Sequence, residues 1–511
     1  MIFAAPSAAL TAMPASLPIP NTHPGRIAAV AALLGRGCAP AEKCCVLEIG
    51  CGSGLNLLSM AQQLPDSAFL GIEASSQRVE AGRVLAGKAG IGNARFEAMP
   101  IAGAGAALGQ FDYVVCHGVF SRLAPDLQKQ LLQAIKARLA PEGIALVSYD
   151  VLPGWALPLE LRRMLGYRSR RFNGPVGKLR AARELITVLA QSLGGREDGW
   201  SRSMEPLLKQ VASLSDEELV RDFLQEGSAP CHFHEFASRA AEAGLAYFAE
   251  ADFHTHMGLA LPAAQRARIG RLAADPIEFE QYADFVAERA FRSSLLVHAA
   301  AGRRASVDPA RIGNLYLRAE VRPETDAEGG IVFANGAGLK LKPKTEAVQA
   351  ALAVLAAAAP RSLGFDEIRL ETGRRIGREV DSPRLASDLQ AALECGALTA
   401  ATRPVPAPLS LPERPLGSAL ARALAATQDA LPTLDHRAVR LEPLARLTLL
   451  YLNGMRDRAE LIRLLGADLP RRRLHLQLDG KPVAGDELAR RLPAALDETL
   501  RTLHRVALIA A

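Results

Sequence analysis

From Cys44 to Asp150, short apolar and β-branched runs alternate with longer stretches in which apolar residues recur three and four apart. That pattern predicts strands separated by amphipathic helices, and hence βαβ units around a parallel sheet. The strands read at CCVLEIG, AFLGIEA, ARFEA, FDYVVCHG and GIALVSYD, and the covering helices at LNLLSMAQQL, SQRVEAGRVLAGKAG and DLQKQLLQAIKARL. After VLPGW the chain turns helical and Arg-rich to about Leu224; HEFASRAAEAGLAYFAEADF then runs helix, Gly stop, strand, which predicts a further strand joining the sheet after a helical insertion. DPIEFEQYADFVAERAFRSSLLVHAA reads as one long amphipathic helix or two shorter ones, with Phe279, Tyr282, Phe285, Phe291 and Leu295 as an apolar stripe serving as core or dimer face. Residues 305–345 are strand-like and turn-rich. From Thr345 the order helix, turn, helix, helix, short strand suits a winged-helix module, ATRPVPAPLSLPERP reads as a linker, and a related helical pattern recurs in LEPLARLTLLYLNGMRDRAELIRLLG.

The expected fold class is α/β: a doubly wound, Rossmann-like sheet with a helical insertion, followed by a mainly α, winged-helix-like C-terminal region. Its blocks are a flexible N-terminal arm at 1–20, a Rossmann-like ligand-binding domain at 21–155, the insertion at 156–228, the return to the sheet with its regulatory or dimerisation helices at 229–300, a middle β segment at 301–345 and the C-terminal region at 346–511. A chain of 511 residues with 49% hydrophobic and 22% charged positions is globular in composition, which excludes wholesale disorder and fibrous classes. A net charge of +6 over this length is a weak field that permits nucleic acid or an anionic membrane without arguing for either. Seven unevenly spaced cysteines read as reduced thiols in a cytoplasmic protein. The uncharged start has no basic n-region, and VQAALAVLAAAAP is shorter than the roughly 20 residues that span a bilayer, so neither secretion nor membrane insertion is expected.

The segment that carries chemistry is VLEIGCGSG, Val46 to Gly54, between a strand and a helix. Gly50, Gly52 and Gly54 allow a sharp turn and close backbone approach to a ligand, and the helix starting near Leu55 aims free N–H groups at it. Glu48 stands just before the turn, where a carboxylate can hold an amino group. Glu73 ends the next strand about 20 residues on, the place from which an acidic side chain reaches ribose hydroxyls. Leu55 occupies the position where a dinucleotide fingerprint needs its last glycine. The set favours a mononucleoside carrying positive charge over NAD.

These residues resemble a class I S-adenosylmethionine-dependent methyltransferase. Together with PNTHPGRIA, GQFDYVVCHGVFSRL, LAPEGIALVSYDVLPGW, HEFASRAAEAGLAYFAEADF and DPIEFEQYADFVAERAFRSSLLVH, the chain is similar to methyltransferases that carry a methyltransferase regulatory domain, including the rickettsial protein-lysine methyltransferases. The likeness reaches into the C-terminal third at LYLRAEVRP and HRAVRLEPLARLTLLYLNGMRDRAEL. It implies S-adenosylmethionine as cofactor, held at its methionine end by Glu48, Gly50, Cys51, Gly52 and Asn56 and at its ribose by Glu73. His117 and Val119 would line the pocket, and Thr22 and His23 would fold over the cofactor. Where relatives carry an acidic residue for the adenine amino group, this chain has Ala98 and Met99, which pack the ring without accepting a hydrogen bond; where relatives read NTYPGW it has DVLPGW.

The resemblance implies a protein acceptor, modified on lysine, and a homodimer. Tyr149 and Asp150 are the candidates to orient the amine, Trp155 and Tyr167 the candidate walls of the substrate site. Cys51 and Cys116 read as packing residues. The clusters CHFHE and HTH match no standard zinc spacing, so no metal is expected, and the arginine run YRSRRF reads as a solvated helix face. Two other functions stay open at this point: methylation of a small metabolite, and a non-catalytic, cofactor-sensing regulator whose winged-helix region, with Arg369, Arg374, Arg375 and Arg378, binds DNA or protein.

Overall fold

The computed structural model describes residues 17–100, 108–225, 229–301, 307–326, 328–472, 474, 476–478, 481–483 and 485–510; residues 1–16 of the expected arm and the end of the RFEAMPIAG segment lie outside them. Helix α1 (Pro24–Leu33) precedes the alternating region, which folds as β1 (Cys45–Ile49), α2 (Leu55–Gln63), β2 (Ala68–Glu73), α3 (Ser76–Ala89), β3 (Ala94–Ala98), β4 (Phe111–Cys116), α4 (Pro125–Arg138) and β5 (Leu139–Asp150). The insertion supplies α5 (Ala156–Ser169), α6 (Gly174–Leu193), α7 (Gly199–Ala212) and α8 (Asp216–Leu219), closed by a π-helical turn at Val220–Leu224. Their shared interior of Leu161, Leu165, Ile186, Met204 and Leu208 gives the insertion a core of its own. The chain then returns through α9 (Phe233–Glu242), β6 (Leu245–Glu250), α10 (Ala263–Leu272), α11 (Pro276–Ala287) and β7 (Phe291–His298).

Seven strands make one sheet in the order β3-β2-β1-β4-β5-β7-β6, parallel except for β7, which runs against both β5 and β6. Successive side chains of a strand face opposite sides. Val46 therefore joins the core under α1 and α2, while Leu47 and Ile49 join the opposite core beneath α4 and α9. Glu48 follows Val46 onto the α2 side, which is what brings it to the glycine turn before α2.

The segment expected as one long helix or two shorter ones corrects to a helix and a strand. Helix α11 stops at Glu288, whose backbone takes the left-handed φ of 48°. Phe291 to His298 is then an inner strand of the sheet, so Leu295 is core and this stretch offers no helical dimer face. What hid the strand is Arg292, fully buried with Glu250 of β6 and Glu280 and Asp284 of α11 at 2.6 to 2.8 Å, carboxylates that the fold brings to it.

The C-terminal part contains β8 (Tyr316–Ala319), β9 (Arg322–Thr325), β10 (Ile331–Ala334), β11 (Lys340–Leu341), α12 (Glu346–Ala358), β12 (Leu363–Gly364), α13 (Phe365–Ile376), α14 (Ser382–Glu394) and β13 (Leu398–Ala401). Strands β12, β8 and β13 form a small sheet beside these helices. After the Pro-rich stretch come α15 (Ala419–Leu424), β14 (Ala430–Pro432), β15 (Ala438–Arg440), α16 (Pro443–Tyr451), α17 (Arg458–Arg471), β16 (Leu476–Leu478), β17 (Lys481–Val483) and α18 (Gly485–Arg505). The Pro-rich stretch is packed rather than free: Thr402 N–H donates to Gly25 O (2.9 Å), and Val405 N–H to Ser362 Oγ (3.1 Å). Helix α15 lies on α2, where Gln62 Oε1 accepts from Leu420 N–H at 2.8 Å. The C-terminal region and the sheet's α2 side therefore share one apolar core, in which Leu57 and Leu420 both take part.

Candidate cofactor site

The turn between β1 and α2 holds Gly50, Gly52 and Gly54 at φ of 74°, 57° and 78°, a left-handed run that L side chains resist. Added Cβ atoms would stand 2.5 Å from Val119 at Gly50 and 2.2 Å from Phe96 at Gly54. Glycine is required there by conformation and by space. Gly50 and Cys51 N–H donate to Ile72 O, tying the turn to the end of β2.

Beside the turn lies a cavity of about 210 Å³. Gly50 and Gly52 form one wall, Glu73 and Met99 a second, and His117 with Val119 a third. Glu73 Oε2 accepts Gly52 N–H (3.2 Å) and Oε1 accepts Ser75 N–H (3.1 Å), so the carboxylate is fixed at the strand end on the cavity wall, with acceptor capacity left over. His117 packs edge-on to Phe291, and its buried Nδ1 has no partner. Burial, with Arg122 adding to it, lowers its imidazole to about 4, so it is neutral near pH 7.

Glu48 sits behind the turn, 5% exposed. Its Oε1 accepts from Asn56 Nδ2 at 2.8 Å, whereas Oε2 is buried without a partner. Burial raises the carboxyl to about 7, against the opposing pull of the Asn56 hydrogen bond. A buried carboxylate oxygen lacking a donor is costly until a cation or donor meets it. The glycine cradle, this orphaned oxygen and Glu73 at the strand end together fit a ligand with a cationic amino-acid end and a ribose.

Several expected residues lie elsewhere. Asn56 and Thr22 form a buried relay behind Glu48: Asn56 Oδ1 accepts Ile19 N–H (2.8 Å), Asn56 Nδ2 reaches Thr22 Oγ1 (3.1 Å), and Thr22 lies 3.2 Å from His436 Nε2. His23 caps α1, its Nδ1 accepting Gly25 N–H at 3.0 Å, and faces a different cavity. Cys51 is core; burial raises its thiol and pushes that of Cys116 up to about 12, so neither is a nucleophile near pH 7. Ala98 is exposed and off the cavity wall, where Met99 takes the place beside Glu73.

Tyr149 is a correction. It stacks on Phe236 with ring centroids 3.8 Å apart and shares a 2.9 Å hydrogen bond with Ser294, because β5's alternation sends it into the core under α9. Trp155 is buried against Phe223 with the Arg162 guanidinium over its ring, and Tyr167 is 60% exposed on α5 beneath Arg170; neither walls the cavity. Asp150 stands one residue behind it. Burial raises its carboxyl to about 7, against the pull of Arg122 and Arg162, and the Trp155 indole is hydrogen-bonded to it.

Residues not singled out from sequence complete the cavity: Arg122 and Leu123 after β4, Arg78 on the first turn of α3, and Gln225 from the end of the insertion. Arg122 pairs with Asp222 at 3.3 Å, within the π-helical turn, so the insertion supplies part of the wall. Arg122 lay inside the quoted string GQFDYVVCHGVFSRL; nothing local marks Gln225. In the CHFHE and HTH clusters, His234 binds Gln281 and His256 faces Glu280, and among the described residues no three His, Cys, Asp or Glu side chains are grouped to hold a metal.

Comparison with known proteins matches three family models: a methyltransferase domain at residues 47–145, a "predicted methyltransferase regulatory domain" at 215–298, and a "PKMT, C-terminal winged helix domain" at 413–508. The last falls on the second helical pattern, beyond the Pro-rich stretch. A protein of Rickettsia prowazekii that bears no functional name is 32% identical over 220 residues, 43% of this chain and 88% of its own length. A second from the same organism is 29% identical over 286 residues, 55% of this chain and 51% of its own. Among solved structures, PKMT2 from Rickettsia typhi, determined alone and in complex with AdoHcy, superposes with a TM-score of 0.85 at 23% identity, covering 97% of this chain and 99% of that one.

Proposed function

We infer that this chain, which belongs to the S-adenosylmethionine-dependent methyltransferases carrying a methyltransferase regulatory domain and a PKMT-type C-terminal winged helix, methylates lysine side chains of a protein. The observation that carries the cofactor half is the buried Glu48 carboxylate with one oxygen unpartnered beside the glycine turn. The name of the winged-helix family and the full-length likeness to PKMT2 support a protein acceptor.

In this reading Glu48 holds the cationic amino-acid end, directly or through water, and Gly50 and Gly52 let the ligand approach the backbone. Glu73 accepts the ribose hydroxyls, while Met99 packs against the base. S-adenosylmethionine, when bound, supplies a methyl group activated by a sulfonium. The chain's remaining tasks are to place the acceptor in line and keep it uncharged. Free lysine has a pKa of about 10.4, so the site must favour the neutral amine. The Arg122 guanidinium on the cavity wall opposes an ammonium there. Neutral His117, with its unpartnered Nδ1, accepts a hydrogen bond from the amine. Asp150 acts as a positioning residue through Arg122. Tyr149 takes no catalytic part.

The test is incubation of the full chain with methyl-labelled donor and host lysate. Discrete protein bands whose peptides carry methyl-lysine support the reading; label confined to small molecules moves it to metabolite methylation. A DNA-binding regulator is disfavoured by pairing among its arginines: Arg369 faces Asp366, Arg374 faces Glu371 and Arg378 faces Glu346. The cytoplasmic location inferred from the thiols stands as part of the proposal, as does homodimerisation, for which α11 offers exposed Phe285 and Val286. Sedimentation analysis tests the dimer.

A further inference from the structure

A second cavity, of about 80 Å³, lies where α1, the small C-terminal sheet, the Pro-rich stretch and the β14–β15 turn meet. It is lined by His23, Arg26, Arg318, Arg403 and Asp435, with the exposed Pro404 and Pro406 at its rim. Three guanidinium groups thus face one carboxylate across it.

Carboxylates on and behind the wall balance this charge in part. Glu320 lies 3.8 Å from Arg26 and also meets Arg437, Asp435 contacts Arg318, and Glu42 approaches Arg403 at 3.6 Å. The donors left over are specific. His23 is 8% exposed, and because its Nδ1 accepts Gly25 N–H, a neutral ring must carry its proton on Nε2. That Nε2–H is buried and has no acceptor, and Arg318 Nε–H is in the same condition. Buried donors are seldom left so, and two of them in one cavity mark the place of an acceptor. The field agrees: burial lowers Arg26 and Arg318 to about 10 and His23 to about 3, with neighbouring guanidiniums adding to the shift in each case.

We propose that this interdomain cavity binds a small oxyanion, the phosphate or carboxylate group of a small molecule, held by His23 Nε2–H and the Arg26, Arg318 and Arg403 guanidiniums. Nothing in the cofactor reading requires it, and the two cavities have no lining residue in common. An acceptor here joins α1 of the sheet domain to β8 and the Pro-rich stretch of the C-terminal part.

The probes are inorganic phosphate and acetate, titrated into the full chain at constant ionic strength with chloride as the reference. Saturable stabilisation by one probe, weakened tenfold or more by Arg403→Ala, is the expected result, and the tighter probe identifies the ligand's group. Arg403 is half-exposed at the rim, so its loss leaves the fold intact. Ring-nitrogen resonances of His23 should shift on binding the same probe. If both probes act no differently from chloride, or if Arg403→Ala and His23→Gln each bind as the parent chain does, the proposal is overturned.

Discussion

With Glu48 holding the donor's cation as proposed, donor binding is expected to depend on pH in a way that a surface carboxylate would not produce. Its carboxyl is raised to about 7 by burial, with Oε2 unpartnered. A ligand cation prefers the ionised form, so below that value binding must also remove a proton. At pH 6 the ionised fraction is about one tenth, and the cost is about 1.4 kcal/mol, a tenfold loss of affinity. The expected dissociation constant levels off near pH 7 and rises about tenfold per unit below it. Titration calorimetry with S-adenosylmethionine from pH 5.5 to 7.5 reads this, since a ligand α-amino group with a pKa of about 7.7 to 8.0 stays mostly charged there and its loss of charge acts at the alkaline end, opposite in sign to the Glu48 trend.

Asp150 is raised to about the same value and must be separated. Glu48→Gln supplies the control: the variant should bind weakly and without slope over this range. His117, lowered to about 4, contributes nothing in the window. The same group sets a stability trend in the empty protein. A carboxyl raised in the native state keeps its proton while the unfolded chain has lost it, so stability falls as pH rises from about 4.5 to 7, by at most about 3 kcal/mol. An affinity that does not change between pH 5.5 and 7.5 in the parent chain refutes the assignment of Glu48 to the ligand's cation.

Glu73→Ala should weaken donor binding by about 1 to 3 kcal/mol in the same calorimetry, through loss of charge-assisted hydrogen bonds; unchanged affinity means the ribose is held elsewhere. Tyr149→Phe removes only the Ser294 hydrogen bond, so it should cost about 1 kcal/mol in urea unfolding and leave methyl transfer intact; a large fall in turnover at unchanged stability would restore a catalytic role. Arg292→Ala leaves Glu250 buried without a cation, and Glu280 and Asp284 with only Arg289, and should destabilise by about 3 to 5 kcal/mol, seen as a lower denaturation midpoint. His436→Phe removes both ring hydrogen bonds from the relay behind Glu48 and should weaken donor binding although His436 lies off the cofactor cavity; equal affinity shows that Asn56 holds its place without it.

The cofactor turn was legible because its constraint is local. Left-handed φ at Gly50, Gly52 and Gly54 and a strand end twenty residues on are properties of short strings, and the alternation of apolar runs carries the sheet with them. Tyr149 was not legible: its position at a strand end is local, but the face it takes depends on Phe236, brought by α9 from 87 residues away. The strand β7 failed for a related reason. A charged residue in an apolar run reads as the polar side of a helix, and only the carboxylates of Glu250, Glu280 and Asp284, placed by the folded chain, allow Arg292 to be inside. Gln225 and Arg122 share this dependence, since the wall they form exists only once the insertion folds back onto the end of β4.

The C-terminal region is therefore more than an appended module. Glu48 is aimed by Asn56, Asn56 is held by Ile19 and Thr22, and Thr22 meets His436, which the β14–β15 turn holds at a φ of 56°. Thr22 spends its own hydroxyl proton on Ile19 O, at 2.8 Å, so His436 must donate from Nε2 and accept Ser59 O–H at Nδ1. Burial and the nearby His23 and Arg26 keep His436 well below the ordinary histidine range, which preserves that neutral tautomer. One fixed set of proton positions then runs from the winged-helix region to the Glu48 carboxylate. A displacement of that region that withdraws His436 takes the Ser59 hydroxyl's partner away and removes one of the donors that fix Thr22, leaving Asn56 held by Ile19 N–H and by a less constrained Thr22. With Glu48 holding the donor's cation as proposed, the His436→Phe variant is the test of whether the seating of the C-terminal region on α2 reaches the affinity for the donor.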